Sequence, residues 1–448
     1  MELRDLVVTP AVLFIVYVLA YMIRPWVTDG VTQRYFIPAL TVKIIGALAV
    51  GFIYQFYYGG GDTFAFHTHG SRIIWEAFLD DPVKGLKLFF ANGVHSGDTF
   101  KYSSRIWYFR DPQTYLLIKI TFLLDLFTFS TYSATAILFA VFSFTGIWAF
   151  YYTFYSKFES LHFRLTLAIL FVPSVFFWGS GVLKDTLTLG CLGWMTYAFH
   201  QMVFKRNMSI VLIIIFFLTA FLTYSIKKYI LLSFLPALLI WVTVGYFNKI
   251  QSTVLKVLLA PFILTICGVL GYATIQTVGK DDPRYALDNL AKTAQVTAYD
   301  IRYGWGVRLG DGSGYTLGEL DGTIGSMIRL APQAINVSLF RPYLWEVRNP
   351  LMLLSALEAL TCLLLTLWIV YKVSIRSFLV NLLEPDVLFC MVFAIVFAFA
   401  VGISTYNFGT LARYKIPLLP FYFTGLVLLY HYGRLKRDKK LEVLDSIE

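Results

Sequence analysis

The stretch FIPALTVKIIGALAVGFIYQFYY, Phe36 to Tyr58, followed directly by GGGDTFAFHTHG, Gly59 to Gly70, decides how this chain is read. The first segment is apolar and long enough to cross a bilayer as a helix. The second opens with three glycines, which let the backbone turn sharply and approach a ligand closely. Asp62, His67 and His69 then bring a carboxylate and two imidazoles to a membrane surface. That is where a lipid-carried substrate presents its head group, and acid, base and ligand chemistry are all open to these side chains.

Composition agrees with this reading. Hydrophobic residues make up 58% of the 448 and charged residues only 14%, and mean hydropathy is +0.68, far from the balance of a soluble domain. Twelve apolar runs fit helices: Leu6 to Ile23, Phe36 to Tyr58, Tyr115 to Phe129, Tyr132 to Tyr155, Phe163 to Trp178, Thr186 to Phe204, Ile210 to Ser225, Tyr229 to Phe247, Val254 to Val278, Pro350 to Val373, Val387 to Thr405 and Ile416 to Tyr432. The short alternating strands of a β-barrel are absent from the sequence. The expected fold is all-α, a polytopic bundle of about 11 to 13 transmembrane helices forming a single integral-membrane domain over residues 1–448. The first run lacks a basic leader and a small-residue cleavage site, and so reads as a retained helix. Cys191, Cys267, Cys362 and Cys390 all fall inside predicted helices, where they serve as small apolar side chains.

Two connections exceed what joining helices requires, residues 59–112 and 279–349, and long loops on a rigid scaffold tend to carry function. Arg434, Lys436, Arg437, Lys439 and Lys440 crowd the C-terminal tail and place it in the cytoplasm. Counting backwards puts the basic connections at Lys372/Arg376, Lys249/Lys256, Lys205/Arg206 and Lys157/Arg164 on the same side. Gly179 to Asp185, residues 279–349 and Asn407 to Arg413 fall opposite, with Lys227-Lys228 as an exception and a candidate to face an anionic ligand. The count brings the Asp62 loop to that outer side only if one short run, Tyr115 to Phe129 or Phe163 to Trp178, fails to cross. Such partial helices are tolerated where protein or water covers the freed backbone groups.

Charged groups near membrane depth are costly unless paired or hydrated. Lys184-Asp185 follows a helix broken by Pro173, Gly179 and Gly181: either Lys184 aims at a phosphate, or it pairs with a carboxylate while Asp185 caps the next helix. Arg413-Tyr414-Lys415 combines a guanidinium fork, a stacking ring and a point charge, although cations at helix ends also snorkel without further role. Arg341 and Glu346 sit among Phe340, Tyr343 and Trp345 just before a membrane helix, the mixture a carbohydrate site offers. The adjacent Asp281 and Asp282 read chiefly as a solvated charge run.

Three segments together carry a resemblance: Pro173-Ser174 to Trp178-Gly179-Ser180-Gly181 and Lys184-Asp185; Arg341-Pro342 with Trp345-Glu346; and Ala412-Arg413-Tyr414-Lys415-Ile416-Pro417-Leu418-Leu419-Pro420. With the acidic first loop, the chain resembles bacterial integral-membrane glycosyltransferases of the GT-C superfamily. It is also similar to oligosaccharide or O-antigen polymerase-like membrane proteins. The resemblance implies a helical fold whose outer loops carry short amphipathic helices and a site on the extracytoplasmic side of the bacterial inner membrane. It also implies a polyprenyl-phosphate-linked sugar donor, a glycan or lipid acceptor, and a first-loop carboxylate, here Asp62, as general base. Where members of that family have two acidic residues close together, Asp62 is followed by Thr63, His67 and His69, so a divalent metal is possible but not required.

Sugar transfer from a glycosyl phosphate needs cations for the leaving phosphate and a carboxylate near the attacking hydroxyl. Asp62 is the expected base. Lys184, Asp185, Arg341, Glu346, Arg413, Tyr414 and Lys415 are the substrate-binding candidates, with His67 and His69 bonding sugar, orienting Asp62 or ligating metal. The expected partners are the lipid-linked donor, the acceptor and membrane lipid, with no nucleic acid. Two other readings stay open: a polymerase or ligase joining lipid-linked oligosaccharides, and a transporter or flippase without chemistry.

Overall fold

The computed structural model describes residues 2–247, 282–305 and 313–445, with isolated positions 250, 252, 265, 269, 276, 277 and 280. The expected helix Val254 to Val278 and the carboxylate of Asp281 lie outside the described residues. The chain divides into two compact units, Met1–Lys227 and Lys228–Glu448. Among the described residues no β-sheet strand occurs, and Gly314 and Asn407 form one isolated antiparallel bridge.

In the first unit the longer helices are α1 Asp5–Val27, α2 Gln33–Phe52, α3 Asp62–Phe66, α4 Arg72–Asp80, α5 Pro82–Phe90, α6 Pro112–Thr128, α7 Tyr132–Tyr155, α8 His162–Ile169, α9 Pro173–Trp178, α10 Lys184–Val203 and α11 Ile210–Ile226. The second unit contains α12 Lys228–Phe247, α13 Leu287–Tyr299, α14 Ala331–Phe340, α15 Pro350–Val373, α16 Pro385–Thr405, α17 Phe408–Tyr414 and α18 Leu418–Asp445. Six of the described helices are long and apolar enough to cross a membrane: Asp5–Val27, Gln33–Tyr57, Tyr132–Tyr155, Lys228–Phe247, Pro350–Val373 and Pro385–Thr405. α1 leaves Phe14, Ile15, Val18 and Met22 exposed, and α11 leaves Ile214, Phe217, Leu218 and Phe221 exposed. Apolar surface on this scale belongs against lipid.

Small residues bring the helices of the first unit together. A Cβ on Gly146 of α7 would stand 2.0 Å from the Gly190 carbonyl of α10, and one on Gly193 would stand 2.0 Å from the Gly146 carbonyl. Helix backbones in lipid approach this closely where side chains are missing. The two helices run in the same direction, since the Trp194 indole donates to Thr145 at 3.1 Å and Lys157 lies 5.7 Å over Phe204.

That shared direction sorts the two short apolar runs. α6 begins where Lys184, at the start of α10, donates to Thr114 at 2.6 Å. It ends where the Thr128 hydroxyl lies 2.6 Å from that of Thr135, in the first turn of α7. Both of its ends therefore meet the same end of the unit, and α6 does not run through it. The other run does, in pieces. α8 starts beside α2, where the Tyr35 hydroxyl meets His162 at 2.9 Å. The helix stops at Ile169, resumes at Pro173 and stops again at Trp178, and residues 179–183 reach Lys184 without helical bonding.

Buried non-helical backbone needs other partners, and the principal one is Lys43. Its side chain is 2% exposed, and its ammonium donates to the Gly179 carbonyl at 2.7 Å, the Val175 carbonyl at 3.1 Å and Ser143 at 2.9 Å. Ser143 itself donates to the Gly179 carbonyl at 2.8 Å, Ser180 to Phe176 at 2.6 Å and Thr186 to Gly181 at 2.7 Å. Gly46 makes the approach possible, because a Cβ there would stand 2.0 Å from the Phe176 carbonyl oxygen.

Two outcomes test this packing. Lys43→Met, which keeps the bulk but removes all three donations, should destabilise the detergent-solubilised protein by roughly 2 to 3 kcal/mol in thermal or denaturant unfolding; equal or greater stability would contradict the role given to Lys43. Gly146→Leu forces α7 from α10 and should cost about 1 to 3 kcal/mol by the same measurement.

Candidate functional site

Gly59, Gly60 and Gly61 have φ of +66°, +137° and +125°, a region that favours glycine. At Gly61 a side chain is excluded twice over, since a Cβ would stand 2.7 Å from the Tyr54 ring. This turn ends the α2 span and delivers Asp62, half-buried, as the first residue of α3. The chain then widens into a π turn over His67–Ser71.

Lys184 lies in the same electrostatic neighbourhood. Its ammonium donates to Thr114 at 2.6 Å and stands 3.8 Å from the Asp111 carboxylate. Burial holds the Lys184 ammonium below its ordinary range and Lys227 pushes it the same way, while the charges of Asp111 and Asp62 oppose that shift. Asp111 caps α6, accepting from the Gln113 amide at 3.3 Å and from the Thr114 hydroxyl. Burial raises the Tyr108 phenol above its ordinary range, and the charges of Asp62 and Asp111 push it the same way. The first unit thus gathers Asp62, Asp111, Tyr108 and Lys184 at the end of its broken crossing.

Asp185 departs from its expected role as a cap: the position before α10 is Leu183, with no side-chain cap bond, and Asp185 is fully buried. Its carboxylate pairs with Lys227, itself 8% exposed. Lys227 therefore answers a buried carboxylate, which corrects its reading as a group facing a ligand. Lys228, in the second unit, lies 3.6 Å from Asp282. There the Arg284 guanidinium, with Lys228 and the local backbone adding to it, holds the Asp282 carboxyl below its usual range against the opposing effect of burial.

The two histidines part company. His67 is fully buried, with Nε2 3.4 Å from Asp125, so a sugar does not reach it in this arrangement. His69 is half-buried and stacks on Trp107, centroids 4.2 Å apart and planes 4° apart. Among the described residues no group of three or more His, Cys, Asp or Glu is arranged to hold a metal ion.

In the second unit Arg341 and Glu346 hold one another. The guanidinium donates from Nε at 3.0 Å and again from its terminal nitrogen, and Glu346 also accepts from the Tyr343 amide at 2.8 Å. Burial opposes ionisation of Glu346, but these bonds overcome it and keep the carboxyl below its usual range. Arg341 also lies 5.4 Å over Phe408, while Trp345 is 82% exposed and stacks on Tyr343 at 4.7 Å. Asn407 caps α17 through the Gly409 and Thr410 amides, at 2.9 and 3.1 Å. Arg413 and Tyr414 are half-buried in that helix's last turn. Lys415 is 2% exposed, within electrostatic range of Cys362, as is Glu358. The expected open cation at Lys415 is thus an enclosed one.

Sequence reasoning passed over Asp111, Tyr108, Thr114, Asp125 and Lys43 as site or framework groups. Asp111-Pro112 does carry the signature of a helix start, an Asx cap followed by proline. Lys43 is a lone charge inside an apolar run, the signal that led to Lys184.

Removing one partner of the Asp185–Lys227 pair strands the other in low dielectric. Lys227→Met should therefore destabilise the protein by about 3 to 5 kcal/mol, and Asp185→Asn combined with it should recover much of that loss in the same unfolding measurement.

No family model matches the chain, and comparisons with curated proteins and with solved structures likewise return no significant match.

Proposed function

We propose that this protein is a membrane glycosyltransferase that moves a sugar from a polyprenyl-phosphate-linked donor to a glycan or lipid acceptor, inverting the anomeric carbon, with Asp62 as general base. The observation that supports the reading is the convergence of Asp62, Asp111 and Lys184 where the broken crossing of the first unit ends. The reaction joins the acceptor oxygen to the anomeric carbon as the bond from that carbon to the phosphate oxygen breaks. The acceptor proton passes to the Asp62 carboxylate and the electron pair leaves on the phosphate. Lys184 offsets the charge that develops there, and its placement beside Thr114 limits the reorganisation needed.

On this reading the Asp62 end of the first unit faces the extracytoplasmic side of a bacterial inner membrane, and the basic C-terminal tail lies in the cytoplasm. In the second unit Arg413 and Tyr414 are the substrate-binding candidates. The Arg341–Glu346 pair frames aromatic surface for a glycan.

Asp62→Asn keeps size and hydrogen bonding but removes the base. In proteoliposomes supplied with radiolabelled polyprenyl-phosphate sugars and cell-envelope glycan acceptors, it should lower transfer at least about 100-fold while leaving donor binding within twofold. Retained turnover would overturn the assignment. Movement of donor across the bilayer by the wild-type protein, without transfer, would favour a transporter.

A further inference from the structure

We propose that the Tyr132 hydroxyl is the positioning group for Asp62, fixing α3 to the start of α7, with the buried His67–Asp125 pair joined to the same ring through His67. The role in the reaction rests on Asp62 as the base; the mechanical role does not.

Asp62 stands on a hinge. The three residues before it are glycines in left-handed or otherwise glycine-favoured conformations, and nothing in their side chains restrains the turn. Before it, the Gly60 amide donates to the Tyr54 carbonyl at 2.8 Å; after it, Thr63, Phe64 and His67 all meet one ring. The Thr63 and Tyr132 hydroxyls lie 2.6 Å apart, with Thr63 fully buried and Tyr132 3% exposed. Phe64 stacks on Tyr132 with centroids 4.4 Å apart and planes inclined by 26°. His67 meets the same ring edge-on, at 5.5 Å and 85°. The ring fits because α2 makes room for it, since a Cβ on Gly51 would stand 2.6 Å from a Tyr132 ring carbon.

The groups that meet His67 and its partner are polar and equally enclosed. His67 Nε2 lies 3.4 Å from Asp125, which accepts from Thr135 at 2.8 Å, and Thr135 meets Thr128 at 2.6 Å. These groups join α6, α7 and the π turn around the base of α3. The hydroxyl bond at Thr63, one residue from Asp62, is the link nearest the proposed base. It can also be removed without emptying volume.

Tyr132→Phe keeps the ring and its packing. In the full-length protein in nanodiscs, amide hydrogen exchange over residues 61–66 should quicken roughly threefold to tenfold, the loss of one buried hydrogen bond, while distant segments keep their rates. A nitroxide placed through Asp62→Cys should give an immobile spectrum in the wild-type background and a mobile component with Tyr132→Phe. In the transfer assay the variant should lower kcat about tenfold with KM within twofold, since the substrate still binds but meets a base out of place. Thr63→Val removes the same bond from the other partner and carries the test if Tyr132→Phe does not fold; the double variant should be no worse than either single one. Unchanged exchange and an unchanged nitroxide spectrum would overturn the positioning role even if Asp62 proves to be the base. Loss of order at residue 62 combined with an active Asp62→Asn protein would uphold the clamp and sink the base instead.

Discussion

The Lys43 ammonium is the contact on which the rest of the first unit depends. A broken helix inside an apolar bundle leaves buried carbonyls that neither water nor a helical partner satisfies, each a cost of about 1 to 3 kcal/mol. Lys43 meets two of them, at Val175 and Gly179, and spends its third hydrogen on Ser143. Its acceptors are all neutral, so the arrangement is a capping interaction in which one side-chain nitrogen serves two carbonyls and a hydroxyl. Once the end of α9 is fixed, residues 179–183 have a defined path and Lys184 a defined place. The glycines at 46, 146, 190 and 193 serve the same end by letting backbones approach where side chains would hold them apart.

A second constraint comes from how the other buried charges are answered. Asp185 is matched by Lys227, Asp125 by His67 and Thr135, and Asp386 by the Trp241 indole at 2.9 Å. Each arrangement ties two elements that are distant in sequence. In a lipid environment, where apolar packing discriminates poorly between helix registers, such polar links make a wrong register costly. Buried charge in this protein therefore holds helices in place, and burial separates those groups from the candidate site. Asp62 and Lys184 are only half-buried, whereas Asp185 and Asp125 are closed off.

The helical class was legible from hydropathy alone, because runs such as Tyr132 to Tyr155 admit no other reading, and the break near Pro173 was legible from proline and glycine. The fate of α6 was not. Its length and apolarity match a crossing helix, and only its contacts at Thr114 and Thr128 reveal that both ends meet one end of the unit. At the candidate site, Asp62 and Lys184 could be named from their surroundings in sequence, a glycine turn and a helix break. Asp111 could not, since an aspartate before a proline reads as a cap, and its second task beside Lys184 exists only in three dimensions. The Arg341–Glu346 pair shows the opposite error: two charges among aromatic residues looked like a binding site, and much of their capacity is spent on each other.

The same geometry decides which of two lysines an incoming anion can recruit. Around the end of the broken crossing Lys184 stands in the field of Asp111, Asp62 and Asp185, and Lys227 pairs with Asp185. Lys227 is committed: it is buried against Asp185, and freeing it would leave a carboxylate uncompensated in low dielectric at a cost of about 3 to 5 kcal/mol. Lys184 is held differently, by a neutral hydroxyl at 2.6 Å and by a carboxylate at 3.8 Å, beyond hydrogen-bonding distance. A phosphate oxygen offers it a charge-assisted bond in place of a weaker neutral one. Asp111 meanwhile keeps the Thr114 hydroxyl and the Gln113 amide whether Lys184 stays or turns. The cation able to change partners is therefore the half-buried one between Thr114 and Asp111, and the buried pair one residue further along α10 keeps that helix in place while it does so.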